Sequence, residues 1–111
     1  MEDIAWDMFA SETKDRDWNQ LCDESGVAYV FVWIHAEWCA PCRRLEPEVT
    51  SLRTSCSVGR WMELNVPQDD IEKEDLKTTW GFSTIPVFFV YSRSSETWKQ
   101  MNWESFKEFA L

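Results

Sequence analysis

The longest unbroken apolar stretch of the chain is Val27-Ala28-Tyr29-Val30-Phe31-Val32-Trp33-Ile34. Lacking polar alternation, it predicts a strand over Tyr29 to His35 that is covered on both faces of a sheet. A second such run, Ile85-Pro86-Val87-Phe88-Phe89-Val90-Tyr91, predicts another strand, introduced by a proline. Trp61-Met62-Glu63-Leu64-Asn65-Val66 alternates loosely and reads as a strand between them. Thr97 to Met101 reads as an edge strand after the turn Ser92-Arg93-Ser94-Ser95, and Ile4 to Phe9 as a short strand at the start.

Helical periodicity fills the intervals. Asp15 to Glu24 carries Trp18, Leu21 and Cys22 at i, i+3, i+4 spacing and ends at Gly26. Pro41 to Cys56 predicts a long helix: Pro41 suits a first turn, and Pro47 is expected to kink the interior. Asp69 to Thr79 reads as a polar helix with Ile71 and Leu76 turned inward. Trp103 to Leu111 closes the chain, with Asn102 as its cap and Trp103, Phe106 and Ala110 on one face. The order β-α-β-α-β-α-β-β-α implies an α/β fold, a central mixed sheet with helices on both faces. With no internal repeat, low-complexity tract or linker, the 111 residues are expected to form one domain over 1–111.

Composition narrows the function classes. A formal charge of −9 argues against nucleic acid, which needs clustered Lys and Arg, and against an anionic membrane surface. There is no apolar stretch of transmembrane length. The acidic start Met1-Glu2-Asp3 lacks the basic region of a secretory signal, so a cytoplasmic location and a monomeric state are expected. Eight tryptophans in so short a chain are mainly core material, with Trp38, Trp80 and Trp98 reserved as an exposed apolar surface for protein partners.

The four cysteines are too few and too irregularly spaced for a disulfide scaffold. They read as one pair, Cys39 and Cys42, and two singles, Cys22 and Cys56. The singles are expected to pack as small hydrophobes, Cys56 being the more exposed in its polar surroundings. The pair lies in Trp38-Cys39-Ala40-Pro41-Cys42, where the strand ends and the long helix begins. Residues i and i+3 on a helix are about 5–6 Å apart at Cβ, which lets the first turn close a disulfide with little movement. Backbone N–H groups and the helix dipole also favour a thiolate there. No bound cofactor is called for, and no metal site: structural zinc takes four ligands, and only Cys39, Cys42 and a poorly oriented His35 come near.

Three segments together carry a family resemblance: Ala36-Glu37-Trp38-Cys39-Ala40-Pro41-Cys42, Pro47 inside the helix, and Trp80-Gly81-Phe82-Ser83-Thr84-Ile85-Pro86. With the order of elements over nearly the whole chain, they make it resemble the thioredoxin superfamily. The resemblance implies a thiol–disulfide oxidoreductase in which an exposed Cys39 attacks a protein disulfide and a more buried Cys42 resolves the mixed disulfide. Trp38, Ala40, Pro41 and Pro86 would shape the substrate site. Pro86 would be cis, and the Thr84-Ile85 backbone would pair with an extended client segment. The proline in Ala40-Pro41 is similar to reducing members. A separate electron donor of the thioredoxin-reductase type would recycle the dithiol.

The chain also departs from that family. Counting back from Cys39, the family's buried strand carboxylate falls at Trp33 and the aromatic behind the site at His35, while its usual lysine, on the next strand, falls at Glu63. Glu63 is either a substitute base for Cys42 or an ordinary strand glutamate. His35, on the same strand face as Trp33, either tunes the dithiol or is a structural histidine. Arg43 and Arg44 either lower the Cys39 pKa or are solvated helix residues. The turn Arg93-Ser94-Ser95-Glu96 lacks the family's glycine. These departures keep a second function open, a non-enzymatic adaptor whose Cys39–Cys42 pair is structural or a redox switch on partner binding.

Overall fold

The computed structural model describes residues 17–110 except 57 and 67. The strand expected over Ile4 to Phe9 lies outside the described residues. The elements run α1 (Trp18–Ser25), β1 (Tyr29–His35), α2 (Ala40–Ser55), β2 (Gly59–Asn65), α3 (Asp70–Trp80), β3 (Val87–Ser92), β4 (Thr97–Met101) and α4 (Trp103–Ala110). The described strands form one sheet in the order β2-β1-β3-β4. β1 pairs parallel with β2 and antiparallel with β3, and β3 pairs antiparallel with β4. The parallel pair needs a crossover, which α2 supplies. No described helix is long and apolar enough to cross a membrane.

β1 is central because every inner position of it is apolar. Val30, Val32 and Ile34 face one side and pack with Trp18 and Leu21 of α1 and with Leu76 and Trp80 of α3. Phe31 and Trp33 face the other, with Val49 and Leu52 of α2 and Phe106 and Ala110 of α4. The mixed sheet with helices on both faces is therefore as the sequence predicts. α1 is capped by Asp17, which accepts from the Gln20 N–H at 3.0 Å, and closed by Gly26 in the left-handed conformation. α4 is capped as expected, Asn102 accepting from the Ser105 N–H at 2.9 Å.

Several expectations are corrected. Ile71 is 75% exposed: only Leu76 of the two predicted positions turns inward, because Ile71 stands in the first turn of α3, ahead of the buried stripe. Cys56 is buried. Its N–H closes the last turn of α2 on Leu52 at 2.9 Å, and its carbonyl accepts from Trp61 Nε1 at 3.2 Å, which draws the chain inward. Trp80 is fully buried and Trp98 half-buried. They meet edge-to-face at 5.2 Å, and Trp98 meets Trp18 at 4.9 Å. These two rings are core, and only Trp38 of the three is exposed. Pro47 lies inside α2, as the sequence places it, on the exposed side of the helix.

In the β3–β4 turn no glycine is present, and Glu96 itself adopts positive φ, +56°. Such a backbone costs an L-residue about 1–2 kcal/mol. Its N–H donates to the Ser92 carbonyl at 2.8 Å and its carboxylate accepts from the Asn19 amide, which offsets part of that cost.

Gly59 opens β2 against Phe31. A Cβ placed there would lie 2.5 Å from the Phe31 ring. That ring is fully buried and meets Trp61 at 4.9 Å and Phe106 at 5.3 Å, so it has nowhere to go. Gly59→Ala should lower stability by about 1–3 kcal/mol, the usual overpacking cost. Urea denaturation followed by tryptophan fluorescence measures it, and an unchanged midpoint would contradict the packing argument.

Candidate active site: a dithiol at the N-terminus of α2

β1 ends at His35, and the chain turns through Ala36-Glu37-Trp38 into α2. The Cys39 N–H donates to the Ala36 carbonyl at 3.2 Å, which closes the turn. Cys39 then takes the N-cap position, where serine or aspartate is usual. Its sulfur accepts the Cys42 N–H at 3.3 Å. A cap must supply an acceptor to the unpaired N–H groups of the first turn, and a cysteine sulfur does so while remaining a nucleophile. Ala40 and Pro41 form the first two helical positions, and Pro41 has no N–H to leave unsatisfied.

The opposite wall comes from the segment before β3. The Ile85–Pro86 peptide is cis, as the resemblance implies. The Ile85 carbonyl accepts from the Cys39 thiol at 4.0 Å. Thr84 is exposed, and Ile85 and Pro86 are half-buried. All three precede β3, so the ladder of the sheet leaves their backbone aside. The structure thus brings Cys39, Cys42, Ile85 and Pro86 together, with Trp38 and the Ala40-Pro41 turn alongside.

The expected exposure of Cys39 needs correction. It is 7% exposed and Cys42 1%, so the order is as expected but both sulfurs are covered. Both belong to the buried cluster on the α1/α3 face, and the Ile85 carbonyl lies against the Cys39 sulfur. All four described cysteines are unpaired thiols. Burial, the first cause, and the hydrogen bond to Cys39 push the Cys42 thiol up to about 12, while the Ala36 backbone N–H acts in the opposite direction. No carboxylate stands among these influences.

The residues expected to tune the dithiol are placed differently. Trp33 belongs to the apolar cluster on the α2/α4 face, whereas Cys39 and Cys42 join the cluster on the α1/α3 face. Glu63, level with Trp33 on β2, is half-buried and ion-paired to Arg53 of α2 at 3.9 Å. His35 does share the Trp33 face: the two rings stack with centroids 3.8 Å apart. His35 Nε2 and Trp33 Nε1 are buried without hydrogen-bond partners among the described residues. Arg43 and Arg44 are exposed on α2. One contact escaped sequence reasoning. Lys73 of α3 stands over the Trp38 ring with Nζ 5.3 Å from its centroid. Nothing in the spacing of the two residues announces that approach. Among the described residues no group of three or more His, Cys, Asp or Glu is placed to hold a metal.

A helix-capping cysteine, a second cysteine one turn on, and a cis-proline stand together at one end of an α/β sheet. The thioredoxin family model matches residues 9–108, and the chain belongs to that family. Among solved structures it is similar to thioredoxin from Fasciola hepatica, at 19% identity and TM-score 0.66, covering 99% of this chain and 96% of that one. It is similar also to thioredoxin f from spinach chloroplast, at 18% identity and TM-score 0.67, covering 97% and 88%. A third is mitochondrial thioredoxin 3 from Saccharomyces cerevisiae, at 15% identity and TM-score 0.67, covering 99% and 92%. At these identities the likeness establishes the shared fold. No curated protein sequence matches the chain significantly.

Burial alone lowers the His35 pKa from 6.5 to about 4. A depressed pKa on a base means that the unfolded chain binds the proton first. Stability should therefore be full above about pH 6.5 and fall as the pH drops toward 4, by about 2 kcal/mol. His35→Phe should flatten that part of the curve in urea titrations at pH 4 to 7. An identical slope in both proteins would show that His35 titrates normally.

Proposed function

We propose that the chain reduces disulfide bonds in proteins by cycling Cys39 and Cys42 between dithiol and disulfide. The observation that carries this reading is the Cys42 N–H aimed at the Cys39 sulfur opposite the Ile85–Pro86 segment. The Cys39 thiolate attacks one sulfur of the client disulfide, forming a Cys39–client disulfide. The client's other sulfur leaves as a thiolate and takes a proton from solvent. Cys42 gives up its proton to solvent, attacks the Cys39 sulfur and expels the second client thiolate. Two electrons pass to the client, and the protein is left with a Cys39–Cys42 disulfide. The Thr84-Ile85 backbone supplies an edge on which an extended client strand is held during attack.

We assign the cytoplasm and a monomeric working state: four irregularly spaced cysteines make no disulfide scaffold, which fits a reducing compartment. The oxidised pair then needs a donor. One solved structure similar to this chain, at 15% identity and TM-score 0.64, is titled as a complex of ferredoxin:thioredoxin reductase with thioredoxin f2. That relative supports a reductase-type partner, a separate protein that returns two electrons to Cys39–Cys42.

The apolar Trp33 and the raised Cys42 thiol favour one variant of this reading, in which resolution is slow and the mixed disulfide is long-lived. Such a protein would hold its client as an adaptor does. With a raised pKa the thiol form dominates at neutral pH, so the rate of resolution should climb about tenfold per pH unit between pH 7 and 9. Stopped-flow release of client thiol from a preformed Cys39 mixed disulfide measures this, and a plateau near pH 7 would contradict it. Cys42→Ser should trap the mixed disulfide, visible by mass, and Cys39→Ser should abolish it. Trapping through Cys42 instead would reverse the roles. If no disulfide is reduced by the wild type at any pH, the oxidoreductase reading fails.

A further inference from the structure

The backbone just before β3 is left almost unused by the fold. The Thr84 and Ile85 N–H groups have no hydrogen-bond partner among the described residues. Pro86 has no N–H to offer. The Ile85 carbonyl has one partner, and it is the Cys39 thiol, at 4.0 Å. The Cys39 sulfur is thus engaged twice, accepting the Cys42 N–H at 3.3 Å and donating to Ile85, and only 7% of the residue is open to solvent.

The two contacts serve different forms of the sulfur. The Cys42 N–H can be accepted by a thiol or a thiolate, whereas the Ile85 contact needs the proton. A thiolate has no proton to give that oxygen, whose lone pairs would then face a negative sulfur. The attacking form therefore requires the Ile85 contact to give way. An extended client laid along this segment brings amide N–H groups, and a thiol is a weak donor beside an amide. A client N–H donated to the Ile85 oxygen takes the place of the thiol. A client carbonyl can accept the idle Ile85 N–H in the same ladder.

We propose that the Ile85 carbonyl masks the Cys39 thiol and that a client strand pairing with Ile85 uncovers it, so that the preferred substrates are disulfides carried on extended backbone rather than small disulfides without amide N–H groups. This deepens the oxidoreductase reading and depends on it. As the client N–H takes the Ile85 oxygen, the Cys39 thiol gives its proton to solvent. The thiolate then bonds to one client sulfur, the client S–S bond breaks, and the other sulfur leaves with the electron pair. Ile85 exchanges one hydrogen-bond donor for another and takes no proton.

The test separates uncovering from docking. The Cys42→Ser protein, which stops at the mixed disulfide, is mixed with an extended peptide whose single cysteine carries nitrothiobenzoate. Release of the coloured thiolate reports attack by Cys39, and mass confirms that the peptide is bound. Twin peptides replace one amide N–H at a time, on either side of the cysteine, by an ester oxygen, which removes the donor at nearly unchanged size. Each rate is divided by that of free N-acetylcysteine with the same peptide, which cancels differences in the disulfide itself. The ester at the position that pairs with Ile85 should lower the rate at saturating peptide about fivefold or more, the scale of one lost hydrogen bond. Esters at the other positions should keep it. If every ester that matters raises only the half-saturating concentration, Ile85 merely docks the client and the proposal is overturned. An ester scan without effect overturns it too. If neither the all-amide peptide nor hydroxyethyl disulfide reacts with Cys39, the oxidoreductase reading itself fails.

Discussion

The candidate site depends on a single contact, the Cys42 N–H donating to the Cys39 sulfur at 3.3 Å. A helix must find acceptors for the N–H groups of its first turn, and this one takes a cysteine side chain as its cap. The requirement that starts α2 therefore also fixes the position of the Cys39 sulfur. Everything upstream serves that placement. β1 is apolar on both faces, so it occupies the middle of the sheet, and its end delivers Ala36 and Cys39 to the edge where the segment before β3 also arrives. The cis Ile85–Pro86 peptide then presents the Ile85 carbonyl to the same sulfur.

Trp33 stands where the family resemblance implies a buried carboxylate, and it sets the packing on its face of the sheet. An indole fills the space against Val49 and Phe88 and stacks with His35. The aromatic stack gains packing but leaves Trp33 Nε1 and His35 Nε2 without partners among the described residues, and a buried polar atom left unpaired costs about 1–3 kcal/mol. Glu63, level with Trp33 on β2, is drawn to Arg53. The local balance thus favours a dry, aromatic support for β1. On the opposite face Cys42 lies among apolar groups and backbone, and that burial raises its thiol pKa.

Much of this was legible in the sequence because local physics enforces it. The uninterrupted run from Val27 to Ile34 admits a strand covered on both faces and little else, and Cys39 with Cys42 and Pro41 marks a helix start whatever surrounds it. Asn102 caps α4 because the cap bond spans three residues. Misread positions are those where a long-range contact overrides local polarity. Cys56 sits among serines yet is buried because Trp61, across a turn, takes its carbonyl. Trp80 reads as a surface ring beside the motif but lies under Trp98 and Phe89, which come from strands further along the chain.

The sequence by itself determined the described elements, their order, the dithiol and its family, since each follows from neighbours a few residues apart or from motif spacing. Tertiary structure alone decided how covered Cys39 is, which way Glu63 turns, and that Lys73 stands over Trp38. Those outcomes depend on how helices and strands distant in sequence approach each other. The energies that settle them, a half-buried ion pair, a cation on a ring and a sulfur under a carbonyl, exist only after the sheet has brought the partners within a few ångströms.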